Sequence, residues 1–314
     1  MSPKKTTAKK NIETTKRHPG RTVALLLVVA LTAVLLVGVV NARIVRVSYM
    51  NVGISELDRR LNGLKILYVS DLKISDAREA RHMAALMRRL CDTEPSLVLI
   101  GGDICSDGLV SSVKQLLGLE SRQEADRALS RARSIFIQGM NKLNIPGGIY
   151  AVSGDSDPGF SFEEEQQSSI RFLKNESACV QLGGASLPIF GCSGSAAGTY
   201  VFSMNNSGTG PMLILFHDPR IYNQVVLAAK KRGGTAAQYL LLSGHTLDGQ
   251  VRLGSFALAH RREFSNYVLS ANPDGFYSDD TGLRMLLSSG IGSELIPFRL
   301  GTRPTAYIIT LKSV

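Results

Sequence analysis

Five short apolar runs without polar alternation punctuate residues 66 to 245, and each ends in a residue suited to a metal or a phosphate. Ile66-Leu67-Tyr68-Val69 leads to Ser70-Asp71, and Leu97-Val98-Leu99-Ile100 leads to Gly101-Gly102-Asp103. Ile149-Tyr150-Ala151-Val152 leads to Gly154-Asp155-Ser156-Asp157. Met212-Leu213-Ile214-Leu215-Phe216 leads to His217, and Tyr239-Leu240-Leu241-Leu242 leads to Gly244-His245. Runs of this kind predict strands buried on both faces. In open α/β sheets the loops at the carboxyl ends of such strands converge on one crevice. Asp71, Asp103, Asp155, His217 and His245 would then meet there, as a metal site in outline.

The segments between these runs carry helical periodicity. Residues 76–89 place Ala80, Met83, Ala84 and Met87 on one face, with His82 at a helix surface or edge. Residues 110–143 predict a long helix whose charged stretch, 120–133, is a solvated face. Further helices are expected over 163–173 and 221–231, and strands over 43–52, 285–287 and 306–311. From Gly254 to the strand at 285 the text is loop-rich, and no internal repeat is visible. Alternating strands and helices followed by strands predict one α/β domain with a sheet-rich end.

Charge separates the chain into parts. Residues 1–21 hold seven basic residues against Glu13 alone, which supplies +6 of the net +10. From Val47 onward 27 basic and 25 acidic residues nearly cancel, so no nucleic-acid partner is expected. Thr22 to Ala42 is a charge-free stretch of 21 residues. At about 1.5 Å per helical residue it spans roughly the 30 Å of a bilayer core. A cleavable signal peptide is the alternative, with Val40-Asn41-Ala42 as a weak cleavage site. Signal cores run to about 15 residues at most, which favours an uncleaved anchor. The basic tail then stays in the cytoplasm, and the body is expected outside it, held at the cell membrane by a single pass. The expected parts are a tail (1–21), a transmembrane anchor (22–42) and a globular domain (47–314).

Cys91, Cys105, Cys179 and Cys192 lack the spacing of a zinc knuckle and read best as small buried hydrophobes. Cys179 and Cys192 flank an expected hairpin turn at Gly183-Gly184, so a disulfide across it is conceivable.

Each polar strand end has an ordinary explanation by itself, since an Asp after a strand often caps the next helix and Gly-Asp is a common turn pair. Their order is more informative. Asp71-Leu72-Lys73, Gly102-Asp103, Gly154-Asp155-Ser156-Asp157, His217 and Gly244-His245-Thr246-Leu247 resemble the motif series of the calcineurin-like metallophosphoesterases. That series is Asp-x-His, Gly-Asp, Gly-Asn-His-Asp/Glu, a lone His and Gly-His-x-His. Residues 291–306 are similar to the closing segment of the bacterial, membrane-anchored branch. The resemblance implies an αββα sandwich of two mixed sheets flanked by helices, here preceded by one transmembrane helix, and a phosphoester hydrolysis activity.

The departures fall on the working positions. In the family two divalent cations share the Gly-Asp carboxylate. The ligands of the first carry over as Asp71, Lys73, Asp103 and Leu247, and neither an ammonium nor a leucine offers a lone pair. The ligands of the second carry over as Asp103, Asp155, His217 and His245, all competent, which leaves Asp71 a weaker candidate. One divalent cation per chain is implied, with Mn, Fe or Zn suiting the oxygen and imidazole donors better than Mg. Lys73 either fills the vacated first position as a fixed charge or extends to solvent while Asp71 caps the next helix. Ser156 replaces an imidazole credited with assisting the leaving group, a role worth about 10²–10⁴-fold in rate. The expectation is a weak or altered single-metal hydrolase acting on a phosphoester-containing ligand. The alternative is a pseudoenzyme whose crevice binds a metal, a phosphate group or a partner.

Overall fold

The computed structural model describes residues 19–157, 162–192, 210–254, 256–257, 275–278 and 280–314. Most of the stretch expected to be loop-rich after Gly254 lies outside the described residues. The chain divides into residues Met1–Val37 and a compact body from Gly38 onward. The apolar helix α1 runs from Pro19 to Asn41. Its Val and Leu side chains are largely exposed, and its length and composition fit a membrane anchor or a signal sequence.

Two six-stranded mixed sheets form the body. The first uses β1 (Arg46–Ile54), β2 (Lys65–Val69), β3 (Leu97–Ile100), β4 (Ile149–Ala151), β5 (Ile170–Phe172) and, from far along the chain, β14 (Thr305–Ser313). Its order is β1-β14-β2-β3-β4-β5, with β2 to β5 mutually parallel and β14 antiparallel to β2. The second uses β6 (Glu176–Leu182), β7 (Ala185–Cys192), β8 (Met212–Phe216), β9 (Tyr239–Ser243), β12 (Phe276–Ser278) and β13 (Arg284–Leu287). Its order is β12-β13-β9-β8-β7-β6, with β7, β8, β9 and β13 parallel. A short hairpin, β10 (Arg252–Leu253) and β11 (Phe256–Ala257), stands apart.

Strand periodicity explains the four layers. Ile66, Tyr68, Leu97 and Leu99 point inward against Leu213, Leu215, Leu240 and Leu242 of the other sheet. Their neighbours Leu67, Val69, Val98 and Ile100 point outward onto α2 (Ala77–Cys91) and α4 (Arg122–Met140). On the far side Ile214, Phe216 and Leu241 meet α6 (Tyr222–Arg232). Because successive side chains alternate faces, each strand serves two cores, and the runs therefore lack polar positions. The result is an αββα sandwich.

Three local expectations are corrected. The long helix over 110–143 is two, α3 (Leu109–Leu116) and α4, divided where Gly118 takes φ +68° and Ser121 opens a capping box with Glu124. The helix over 163–173 ends early: α5 covers Phe162–Gln166, and Ile170 and Phe172 bury alternate side chains as the edge strand β5. No disulfide joins Cys179 to Cys192, because Cys179 lies opposite Pro188 and is four residues out of register with Cys192. At about 3.3 Å per residue that offset is roughly twice the reach of a disulfide. The turn itself sits where expected, with positive φ at Gly183 and Gly184.

Candidate metal centre

The five strand ends open on one edge of the sandwich. Asp71 follows β2, Asp103 follows β3, Asp155 follows β4, His217 follows β8 and His245 follows β9. Asp71, Lys73, Asp103 and His245 all have φ between 51° and 71°, unfavourable for residues with a Cβ. Cross-loop hydrogen bonds hold them: Asp71 N donates to Gly102 O at 2.9 Å, Lys73 N to Asp103 O at 3.0 Å, and Gly244 N to His217 O at 3.0 Å. Two glycines let the loops close. A Cβ on Gly102, whose φ is +87°, would lie 2.7 Å from His217 Nδ1, and one on Gly154 would overlap the Asp103 carboxylate.

Asp103, Asp155, His217 and His245 each aim one donor atom at a common point, all within 4.8 Å of one another. His217 Nε2 lies 3.1 Å from Asp155 Oδ1 and 3.3 Å from Asp103 Oδ2. His245 Nδ1 lies 2.9 Å from Asp155 Oδ1 and 3.2 Å from His217 Nε2. His217 Nδ1 is 2.7 Å from the Gly101 carbonyl, which can only accept, so Nδ1 carries a hydrogen and Nε2 faces the carboxylates. Burial works against an imidazolium there, yet the charges of Asp103, Asp155 and Asp71 prevail and raise the His217 pKa well above its ordinary value. Burial likewise opposes ionisation of Asp155, but the two imidazoles prevail and hold it far below the usual carboxylate range. The donor set fits a divalent cation, whose charge would replace the proton that these carboxylates draw onto His217. A second sign of fit is Asp103 Oδ2, a buried oxygen that makes no hydrogen bond and lies 2.5 Å from Lys73 Nζ and 3.3 Å from His217 Nε2.

Asp71 stands apart from this tetrad. Its Oδ2 accepts from Ser70 Oγ at 2.5 Å and from His245 N at 3.1 Å, while Oδ1 is 4.0 Å from His217 Nε2 and has no hydrogen-bond partner. Burial and then the nearby Asp103 raise its pKa, against His217 and Lys73. It does not cap the next helix; Asp76 does, accepting from Arg78 N and Glu79 N.

Lys73 turns inward, which excludes its extension to solvent. Its side chain is 6% exposed, with Nζ 2.5 Å from Asp103 Oδ2 and 2.9 Å from Glu294 Oε2. Nζ also donates to Ser156 Oγ at 2.9 Å. Burial lowers its pKa, but Asp103, Asp71 and Glu294 outweigh that effect, raise it above the ordinary lysine value and keep the ammonium charged. Ser156 N donates to Asp103 Oδ1 at 2.9 Å, so Ser156 touches the cluster through both backbone and hydroxyl. Leu247, buried, adds only apolar surface and a backbone carbonyl.

Four further residues, Asp157 at a strand end and Gln250, Glu294 and Arg299 beyond the strand-end pattern, support the site. Asp157 accepts from Cys105 N and Gly154 N, stapling two site loops, and burial pushes its pKa up to about 6. Arg299, fully buried, donates to the carbonyls of Leu247, Ser289 and Gly292. Gln250 pairs with the backbone of Glu294 on both sides, through Nε2 to Glu294 O at 3.0 Å and from Glu294 N to Oε1 at 2.7 Å. Glu294 reaches the site on that clamp. The sequence signals near it are the glycine-flanked turn at Gly290-Ile291-Gly292 and its place within the 291–306 segment, neither of which names Glu294 itself.

No family model matches the chain. The chain is 24% identical over 247 residues to the uncharacterized protein YpbG of Bacillus subtilis (strain 168), covering 76% of this chain and 79% of that protein. Among solved structures it is similar to the Thermus thermophilus sulfate thiohydrolase SoxB in complex with glycerol, with a TM-score of 0.39 and 14% identity. That match covers 80% of this chain, which spans 57% of the SoxB chain.

Proposed function

We propose that this chain is a membrane-anchored protein of the calcineurin-like metallophosphoesterase type, with one divalent cation and one built-in ammonium where that family has two cations. The cation would be held by Asp103, Asp155, His217 and His245. The observation that carries the reading is the Lys73 ammonium, lodged 2.5 Å from Asp103 Oδ2, the same carboxylate oxygen that His217 Nε2 approaches at 3.3 Å. The αββα architecture and the order of the five strand-end motifs support the family assignment.

When bound, a dication of the Mn, Fe or Zn type would polarise a phosphoryl oxygen and acidify a water. The chain's own groups do the rest. Gly101 O fixes the His217 ring so that Nε2 is presented to the centre. Asp157 and Arg299 keep the converging loops together. Lys73 offsets part of the carboxylate charge and places an N–H donor beside Ser156. The Ser156 hydroxyl accepts from that ammonium, and a hydroxyl at its ordinary pKa is a poor acid for a leaving group. Turnover of phosphoesters should therefore be weak or altered. The same observation favours a second reading, a pseudoenzyme that binds metal and an anionic group without turnover.

Topology belongs to the proposal too. The basic residues of 1–21 would hold the tail in the cytoplasm, and the body would stand on the opposite side of the membrane. Elemental analysis of the purified full chain tests the centre. About one transition metal per chain is expected, lost in His217→Ala and His245→Ala and little changed in Asp71→Asn. Two equivalents, or metal binding indifferent to both histidines, would overturn it.

A further inference from the structure

The Lys73 ammonium has three partners: it donates to Ser156 Oγ and is ion-paired with Asp103 Oδ2 and Glu294 Oε2. Two of them belong to the floor of the site. Asp103 has no exposed side-chain surface, and Ser156 is fixed by its backbone bond to Asp103. Glu294 is different, with a side chain 55% exposed that approaches Nζ from the solvent side. It does not arrive there by chance. Gln250, itself buried, pairs with the Glu294 backbone at both N and O, and Gln250 O accepts from Thr302 Oγ1 at 2.9 Å. The backbone is held while the carboxylate, at the end of three rotatable bonds, remains the one replaceable partner of the ammonium.

We propose that Lys73 is the anchor of an oxyanion seat facing the metal tetrad, and that Glu294 is the internal carboxylate occupying that seat until an external phosphate-type anion displaces it. This rests on the reading of the tetrad as a cation site and adds a residue that sets which ligands are admitted. Displacement exchanges one ion pair for another: the Lys73–Glu294 contact breaks, a phosphate oxygen accepts from Nζ, and the Glu294 carboxylate turns to water. No bond is made or cleaved covalently. Charge sets the direction of selectivity. With one dication bound, Lys73 and the carboxylates of Asp71, Asp103, Asp155 and Glu294 leave the cleft one unit negative. Without the Glu294 charge the same cleft is neutral, so Glu294 disfavours small anions. A phosphoester gains entry when contacts elsewhere on the ligand compensate for that displacement.

Equilibrium dialysis of labelled inorganic phosphate against the full chain in detergent, with the metal content of each sample measured, tests this. Glu294→Gln should bind phosphate up to about fivefold more tightly than wild type, the size expected for removing one half-exposed charge from the partner of an ion pair. Glu294→Ala should do the same, and adding Lys73→Met to Glu294→Gln should abolish the gain. Equal or weaker phosphate binding in folded Glu294→Gln and Glu294→Ala would overturn the proposal. So would unfolding of both variants, which would make Glu294 a structural strut. Failure of the cation reading is read separately: a wild-type chain devoid of metal sinks that reading, while the same gain in the metal-free variants would still sustain the seat.

Discussion

Replacing Lys73 by Met isolates the contribution of the internal cation. The change preserves most of the side-chain volume and removes one charge from a position that is 6% exposed, beside a carboxylate that is fully buried. Breaking a buried ion pair by deleting one partner costs about 3–5 kcal/mol, because the surviving charge stays desolvated. Asp103 retains Ser156 N at 2.9 Å and His217 Nε2 at 3.3 Å, which places the expected loss toward the lower end of that range. For a body of this size about 1 kcal/mol corresponds to roughly 2–4 °C in Tm. Metal-free Lys73→Met should therefore melt roughly 6–12 °C below metal-free wild type. A dication at the tetrad returns positive charge to Asp103. At about 100 times its Kd it stabilises wild type by about 2.7 kcal/mol, and it should stabilise the variant by more. The assay is thermal unfolding of the detergent-solubilised chain followed by circular dichroism, with chelator and with Mn. A metal-free loss under about 2 °C, or a smaller Mn increment in the variant than in wild type, would refute the view that the ammonium and the cation share Asp103.

The triple change Lys73→His, Ser156→His and Leu247→His should raise metal content toward two per chain and bring measurable phosphoester turnover, with a gain larger than the separate changes predict; elemental analysis and a hydrolysis assay on all single and combined variants check this. Gly154→Ala should disrupt the centre, since its Cβ would occupy the place of the Asp103 carboxylate, and metal retention should fall while far-ultraviolet dichroism stays native-like. Protease added to right-side-out vesicles should digest the body and spare the basic tail; full protection of the body would reverse the orientation, and a soluble product starting near Arg43 would identify a cleaved signal.

The inner strands were legible in the sequence because a strand that serves two cores leaves no polar position, so β2, β3, β8 and β9 stand out as unbroken runs. Their carboxyl-end residues were legible for the same reason. The peripheral elements were less so. β5 is a three-residue edge strand following a turn, and its Ile170-Arg171-Phe172 alternation is too short to override a helical reading of the charged residues before it. The break between α3 and α4 hung on Gly118 and Ser121, local signals inside an otherwise helical pattern. Lys73 could be placed at the site by motif but not oriented, because its partner Glu294 enters from a loop over two hundred residues later. Arg299 falls within the 291–306 segment that the sequence already singles out, but neither its role nor that of Gln250 could be read from the sequence. Their work is done on backbone atoms, and a hydrogen bond to a carbonyl leaves no complementary residue in the sequence to find.

The seating of β14 has a temporal consequence. It lies between β1 and β2, hydrogen-bonded to both, so the two earliest strands of the first sheet are not neighbours and cannot close on each other. About 235 residues separate the end of β2 from the start of β14, which at ribosomal rates is a wait of roughly 12–47 s. During that interval β2 exposes one edge and the Asp71 loop lacks the Gly290 to Gly292 turn that packs on it, Ile291 N donating to Ser70 O and Gly292 N to Asp71 O. The Asp71 loop is therefore packed only when residues 290–292 and β14 arrive, whereas Asp103, Asp155, His217 and His245 all precede them in the chain.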